Sequence, residues 1–322
     1  MSRTVVGILR GGTSNEYGLS LKTGAAMLDA LPENAYNTRD IFIDKRGLWH
    51  SRGLPVEPAR ALSQVDVVLN GLHGGVGEDG TVGRLLSRLG LPFTGSEARA
   101  SALSLHKTRA RQLFADAGIL VPRAVSFGLG SDLNTGEMAR QVFDQFGPPY
   151  IVKPAYEGAS HGIRIAQTII ELPDVIADIL DAYGSALVEE FIRGAEATVG
   201  VIEGFRGEDL YALPPARVVY PDEALHVQHD HHQDGLLDYN VPSDFSYEEK
   251  QALIEAARKA HRALDLTDFS RSDFILTARG PYLLETNALP GLYQGSAFPP
   301  MLESVGSSVP EYLQHAIELT RR

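Results

Sequence analysis

Three observations predict an α/β protein of two or three domains. At 322 residues, with 43% apolar and 22% charged side chains, the chain is globular and too long for one small core. Residues 4–9 read as a buried-type strand, which Gly11-Gly12-Thr13-Ser14 turns into an amphipathic segment over 16–30. A strand, a glycine loop and a helix in that order open an α/β unit. Short β-type runs then alternate with helical periodicity for the rest of the chain, with no internal repeat and no low-complexity segment.

Composition narrows the partners. The net charge of −12 argues against a nucleic-acid backbone, which needs a broad basic surface. A small anion remains acceptable, since a local cluster of Lys, Arg and helix N-termini suffices for it. There are no cysteines, so disulfide and thiolate chemistry are excluded. The N-terminal strand runs straight into Gly-Gly, unlike a signal peptide, and no apolar run is long enough to span a membrane. The expectation is a cytoplasmic enzyme with small-molecule substrates.

After the first helix, Val65–Leu69 is the next clear strand. It leads to Asn70-Gly-Leu-His73-Gly-Gly-Val-Gly77-Glu-Asp-Gly80, where glycines let the backbone approach a ligand closely and, together with His73, Glu78 and Asp79, favour a site over ordinary turns. A helix is expected at 81–89, a short strand at 91–93 and one long helix at 97–118, containing His106-Lys107. A strand at 121–127, a polar loop at 128–136 and a helix at 137–146 follow. Tyr150-Ile-Val-Lys153 is a strand feeding a Gly/Ser loop through Ser160 to Gly162, with strand character returning at 163–166. A lysine at a strand end beside such a loop suits a phosphate. A helix spans 171–183. Ala186-Leu-Val-Glu189-Glu190-Phe191-Ile192 then suits either an adenine-binding hinge or an edge strand. Strands continue at 198–202 and 211–213, residues 214–242 read as irregular, and Ser246-Tyr-Glu-Glu249 is a capping box opening a helix. The tail, 309–321, is a last helix.

The stretch Arg271–Gly291 carries the most chemistry. Phe274-Ile-Leu and Tyr282-Leu-Leu flank a turn at Arg279-Gly280-Pro281, which makes a hairpin. Asp273 heads one strand, and Glu285 and Asn287 end the other. Oxygen ligands gathered at one end suit a hard cation such as Mg²⁺. Arg271, two residues before Asp273 and on the same strand face, suggests a phosphate or a developing oxyanion. A surface hairpin with solvated acids would show the same residues.

In order and spacing, six motifs resemble the D-alanine–D-alanine ligases of the ATP-grasp superfamily. They are Gly-Gly-Thr-Ser-Asn-Glu16, His73-Gly-Gly-Val-Gly-Glu-Asp-Gly, Phe93-Thr-Gly-Ser, Lys153-Pro…Glu157-Gly, Glu189-Glu-Phe-Ile and Arg271-Ser-Asp…Leu284-Glu-Thr-Asn…Pro-Gly. The likeness runs from Gly11 to about Met301. It implies an ATP-grasp fold of three α/β domains, at 1–95, 96–189 and 190–322, the first Rossmann-like. ATP would lie between the second and third. By motif match, Lys107 and Lys153 contact phosphates under the Ser160 loop, Glu189, Glu190, Phe191 and Ile192 line the adenine, and Glu196 reaches the ribose. Asp273, Glu285 and Asn287 hold two Mg²⁺ ions, or Mn²⁺ in their place. Glu16 binds the ammonium of a first D-alanine and His73 lies near its carboxylate. Arg271 and the Gly291 N–H stabilise a tetrahedral intermediate, and Ser296 binds the carboxylate of the second substrate. The resemblance also implies a homodimer and a role in peptidoglycan precursor synthesis.

The chain departs from the family in three places. Gly158-Ala159-Ser160 replaces Gly-Ser-Ser. Leu225-His-Val-Gln-His-Asp-His-His232 replaces a mobile-loop pattern ending in Lys-Tyr, and Leu292-Tyr-Gln-Gly-Ser296-Ala replaces Met-Thr-x-His-Ser-Leu. The histidines suit a solvated loop, a zinc site, or tuning of the acceptor. In the last case a histidinium at His231 or His232 disfavours a second ammonium and admits a hydroxy acid such as D-lactate. A related ligase with D-lactate, D-serine or another small acid as acceptor, and an ATP-binding protein without ligase activity, are the remaining alternatives.

Overall fold

A computed structural model describes residues 3–156, 158, 162–220 and 237–321. Its first sheet is built on β1 (Thr4–Gly11), which lies parallel between β2 (Tyr36–Ile43) and β5 (Val67–Asn70). The connecting helix α1 (Tyr17–Ala30) follows a turn at Gly11 and Gly12, both at positive φ. Gly11 also packs so tightly on the Ile43 carbonyl that no side chain fits. Strands β3 (Trp49–Ser51) and β4 (Leu54–Pro55) extend the sheet antiparallel, giving the order β4-β3-β2-β1-β5. β2 escapes sequence pattern because Asn37, Thr38, Arg39 and Asp40 interrupt its apolar run. Its eight-residue ladder with β1 makes it a strand. Helices α2 (Pro58–Ala61), α3 (Gly75–Glu78) and α4 (Thr81–Arg88) complete the region. The strand expected at 91–93 is reduced to one bridge, Val68 to Phe93.

The long helix expected at 97–118 is two helices, α5 (Ala98–Leu105) and α6 (Lys107–Asp116), broken at His106 with φ −84° and ψ 86°. The break has tertiary partners. The Lys107 N–H donates to the Ala155 carbonyl at 3.0 Å, and the His106 ring meets the Tyr156 hydroxyl at 3.1 Å.

The second sheet is antiparallel, in the order β6-β9-β7-β8. It comprises β6 (Ala124–Gly128), β7 (Tyr150–Lys153), β8 (Arg164–Ala166) and β9 (Ser185–Glu190), with α7 (Thr135–Phe143) and α8 (Leu172–Tyr183) between them. Asn134 and Glu137 form a capping box at the start of α7 that the polar reading of 128–136 missed. Both helices bury their apolar sides on one face, against Val125, Tyr150, Val152 and Val188. Because strand side chains alternate, that packing turns Ile151 and Lys153 to the other face.

The third sheet has the order β13-β12-β10-β14-β15, with β11 pairing β10. Its strands are β10 (Ala195–Glu203), β11 (Leu210–Ala212), β12 (Ala216–Val219), β13 (Asp238–Asn240), β14 (Phe269–Thr277) and β15 (Gly280–Asn287). β12 and β13 fall inside the stretch expected to be irregular. Both are short and gain strand geometry from pairing with β10 and with each other. Helix α9 (Tyr247–Ala263), started by the Ser246–Glu249 capping box, packs with α5 and α6 in one core that includes Phe114, Leu253, Phe274 and Leu283. Helices α10 (Phe298–Ser304) and α11 (Val309–Thr320) share another core with the first sheet, in which Ile8 and Leu69 join Phe269, Phe298 and Tyr312. The first and third sheets are therefore welded by common apolar burial. Among the described residues no helix is long and apolar enough to cross a membrane.

Candidate active site

A cavity of about 1280 Å³ lies where the open faces of the second and third sheets meet the glycine loops of the first. Every expected site residue that falls among the described residues lines it. Ser160 and His232, like Ala159 and His231, lie outside them.

Register builds the third-sheet wall. Asp273 pairs with Thr198 on β10 and with Glu285 on β15, and Arg271 pairs with Asn287. A bulge between Asp273 and Phe274 inserts one extra residue on β15. Leu283 stays in the core, while the consecutive Leu284 and Glu285 both reach the cavity, which strict alternation would forbid. Arg271 grips Asp273 in a fork at 3.0 and 2.7 Å, the Asn287 amide donates to Asp273 at 3.1 Å, and the Thr198 hydroxyl at 2.6 Å. Burial works against the Arg271 charge, but Asp273 more than restores it and raises its pKa.

Two lysines face this wall. Lys107, at the start of α6, pairs with Glu285. Burial alone would raise Glu285, yet Lys107 and then Lys153 outweigh it and hold the carboxyl at about 2. Lys153 lies 2.8 Å from Glu189, whose other oxygen meets Arg111 at 2.8 Å. Burial lowers the Lys153 pKa, with Glu189 pulling the other way. The Glu189 side chain is thus taken up by Lys153 and Arg111. Glu190 is likewise tied to Arg123 at 2.7 Å. Only Phe191 and Ile192 present apolar side chains from this hinge to the cavity.

At the other end Glu16 precedes α1. Its carboxylate lies against Gly74, at positive φ, and Gly158, and a Cβ at either would collide with it. Burial, then the Glu78 and Glu285 carboxylates, push Glu16 up to about 8 against the pull of Lys107 and Arg271. Burial also raises Glu78 to about 7, although the Gly74 N–H donates to it at 2.6 Å. His73 is buried, 2.6 Å from the Thr23 hydroxyl, and burial lowers it to about 4, so it is neutral at pH 7. The Ser296 hydroxyl sits 2.7 Å from the carbonyls of both Gly291 and Tyr293 and holds that turn closed. On β10, Glu196 accepts from the Tyr220 hydroxyl at 2.5 Å, and burial raises its pKa to about 7.

Sequence reasoning grouped Glu78 with His73 and Asp79 in a candidate glycine-loop site without giving it a specific role, and singled out neither Arg111 nor Tyr220. Glu78 was visible as a carboxylate inside a glycine loop. The other two carry no local signal, because their partners, Glu189 and Glu196, are remote in sequence.

The donor set suits a hard divalent ion. Asp273, Glu285 and Asn287 offer only oxygen ligands, side by side across one ladder, and Glu285 is ionised at any ordinary pH. Among the described residues no group of three or more His, Asp or Glu side chains forms a metal cage, so such an ion would also draw ligands from a bound anion.

Two antiparallel sheets closing on a cavity of lysines, an arginine and clustered carboxylate and amide oxygens define an ATP-grasp protein. The family model described as D-ala D-ala ligase C-terminus matches residues 113–318. The D-alanine–D-alanine ligase of Halalkalibacterium halodurans is 34% identical over 320 residues, covering 98% of each chain. Among solved structures, VanG D-Ala:D-Ser ligase from Enterococcus faecalis superposes with a TM-score of 0.84 at 25% identity, covering 99% of this chain and 100% of that one. The D-alanine–D-alanine ligase from Bacillus anthracis complexed with ATP gives 0.82 at 25% identity, over 99% and 97%. The chain belongs to the D-alanine–D-alanine ligase family, whose members are ATP-dependent carboxylate–amine ligases.

Proposed function

We propose that this protein joins two molecules of D-alanine into a dipeptide at the expense of ATP, supplying a peptidoglycan precursor. The observation that carries the proposal is the convergence on one cavity of Glu16, Lys107, Lys153, Arg271 and the Asp273–Glu285–Asn287 set, drawn from all three sheets.

In this reading ATP lies between the second and third sheets. Phe191 and Ile192 pack on the base, Glu196 meets the ribose, and Lys107 and Lys153 give up part of their pairing with Glu285 and Glu189 to bind phosphate oxygens. Mg²⁺ held by Asp273, Glu285 and Asn287 would neutralise phosphate charge. Glu16 binds the ammonium of the first D-alanine, beside neutral His73. The carboxylate of that D-alanine attacks the γ-phosphorus, a P–O bond forms, and ADP leaves with the electrons of the broken bond. The amine of the second D-alanine then attacks the acyl carbonyl, and inorganic phosphate departs. Arg271 and the Gly291 N–H face the oxyanion of that step, where fixed donors stabilise developing charge most effectively. Ser296 receives the second carboxylate by turning its single hydroxyl proton away from the Gly291 and Tyr293 carbonyls.

The same reading takes the chain as three working units, 1–95, 96–189 and 190–322, and as a cytoplasmic homodimer, the latter open to sedimentation analysis. The activity is tested by phosphate release with ATP, Mg²⁺ and D-alanine, with the dipeptide identified by mass. No release with D-alanine, alongside release with a different amino or hydroxy acid, would sink it.

A further inference from the structure

The pairing of Tyr220 with Glu196 singles out a residue that no motif marks. On the third sheet Ala197 pairs with Arg217 and Thr198 with Ala216. Extending that register by one residue sets Glu196 opposite Val218 and makes Tyr220 its diagonal neighbour on the same face, within reach of a long side chain. The Tyr220 hydroxyl donates to Glu196 Oε2 at 2.5 Å, and Val218, Tyr220 and Glu196 all line the cavity.

Position along β10 indicates what this pair meets. Glu196 follows the apolar hinge at Phe191 and Ile192 by four residues. It precedes by two residues Thr198, which pairs with Asp273 at the cation-binding end. Two residues of strand span roughly 7 Å. Between a base on the hinge and phosphates at Asp273 lies the sugar of a nucleotide. In its ionised form a carboxylate there accepts from hydroxyl donors. With Oε2 taken by the phenol, rotation about the last side-chain bond is arrested and Oε1 is presented in one direction. The phenol also offsets the burial that works against ionisation of Glu196.

We propose that Tyr220 is a positioning residue that holds Glu196 toward the sugar hydroxyls and so sets the preference for a ribonucleotide over a deoxyribonucleotide. This rests on the reading that ATP occupies the cavity with Glu196 at the ribose.

The test compares wild type, Tyr220→Phe and Glu196→Ala in steady-state kinetics with ATP and with 2′-deoxy- and 3′-deoxy-ATP. Removing the phenol hydroxyl should raise the KM for ATP about 5- to 10-fold, the range expected for one hydrogen bond. It should leave kcat within about twofold and barely change the KM for whichever deoxynucleotide lacks the recognised hydroxyl, so that the preference for ATP collapses. An equal change for all three nucleotides, or a fall in kcat alone, would mark Tyr220 as merely structural and overturn the proposal. Glu196→Ala separates the two layers. If it keeps the preference for ATP, the ribose assignment itself fails. If it abolishes the preference while Tyr220→Phe retains it, only the role of Tyr220 fails.

Discussion

The Lys153 ammonium lies 2.8 Å from the Glu189 carboxylate, both side chains nearly inaccessible, and Arg111 closes on the same carboxylate from the other side. One buried acid thus serves two cations. Replacing Glu189 by Gln leaves both without their counter-charge, and breaking a buried pair from one side typically destabilises by about 3–5 kcal/mol. Denaturant unfolding of Glu189→Gln should show a midpoint lowered accordingly, with an unchanged slope. A midpoint within error of wild type would mean that the cations find other partners.

Glu285 behaves in the opposite pH direction from most acids of this site. Its folded value, near 2, lies below the ordinary carboxylate value of 4.5, chiefly through Lys107. The folded state then binds fewer protons than the unfolded one between those values. The contribution to stability is therefore present above about pH 4.5 and lost as pH falls through 2. Lys107→Met should abolish much of it. Melting temperatures of mutant and wild type should converge between pH 6 and pH 3, as acid removes from the wild type the interaction that the mutant already lacks.

Glu16 and Glu78 carry the reverse sign. Both are raised, to about 8 and about 7, so the folded state holds protons that the unfolded chain releases above its ordinary carboxylate range. Their stability contribution is complete below about pH 4.5 and is lost as pH rises through 7 to 8. The ligand-free protein should grow less stable from pH 5 to 9, and Glu16→Gln should flatten that slope. If Glu16 receives an ammonium, D-alanine binding should also release protons near pH 7. Calorimetry in buffers of differing ionisation enthalpy reads that directly, and a buffer-independent heat would contradict it.

Gly158 touches the tip of Glu16, a flexible group that can yield. Gly158→Ala should therefore leave thermal stability nearly unchanged while displacing the carboxylate. The KM for D-alanine should rise by about an order of magnitude or more, since small misplacements of a positioning group are costly. A stability loss with unchanged KM would refute this account.

Legibility differed by the kind of interaction. The 271–291 hairpin was readable because its apolar alternation and the Arg279-Gly280 turn are local. So was the α9 capping box, four residues long. The break of α5 and α6 at His106 was not, because a helical pattern runs through it and the reason for stopping is the Ala155 carbonyl, about 50 residues away. β12 and β13 had too few residues for a pattern and became strands by pairing. The bulge at Asp273 was invisible for a similar reason: it is a property of two strands, and residues on β15 alone do not encode which one is unpaired.

The chain by itself determined which chemistry it carries: glycines where backbones crowd, oxygen ligands on one hairpin, lysines near loop edges, and the family those motifs match. Tertiary structure decided who meets whom. Lys107 and Glu285 stand 178 residues apart, yet they form one ion pair. Arg111 and Glu189 are 78 apart. Burial moves Glu16 to about 8, while Lys107 and Lys153 outweigh burial and hold Glu285 at about 2, though both begin as the same side chain. The physical reason is that the energy of a charge depends on the solvent excluded around it and on the charges nearby, and both are set only when the three sheets close.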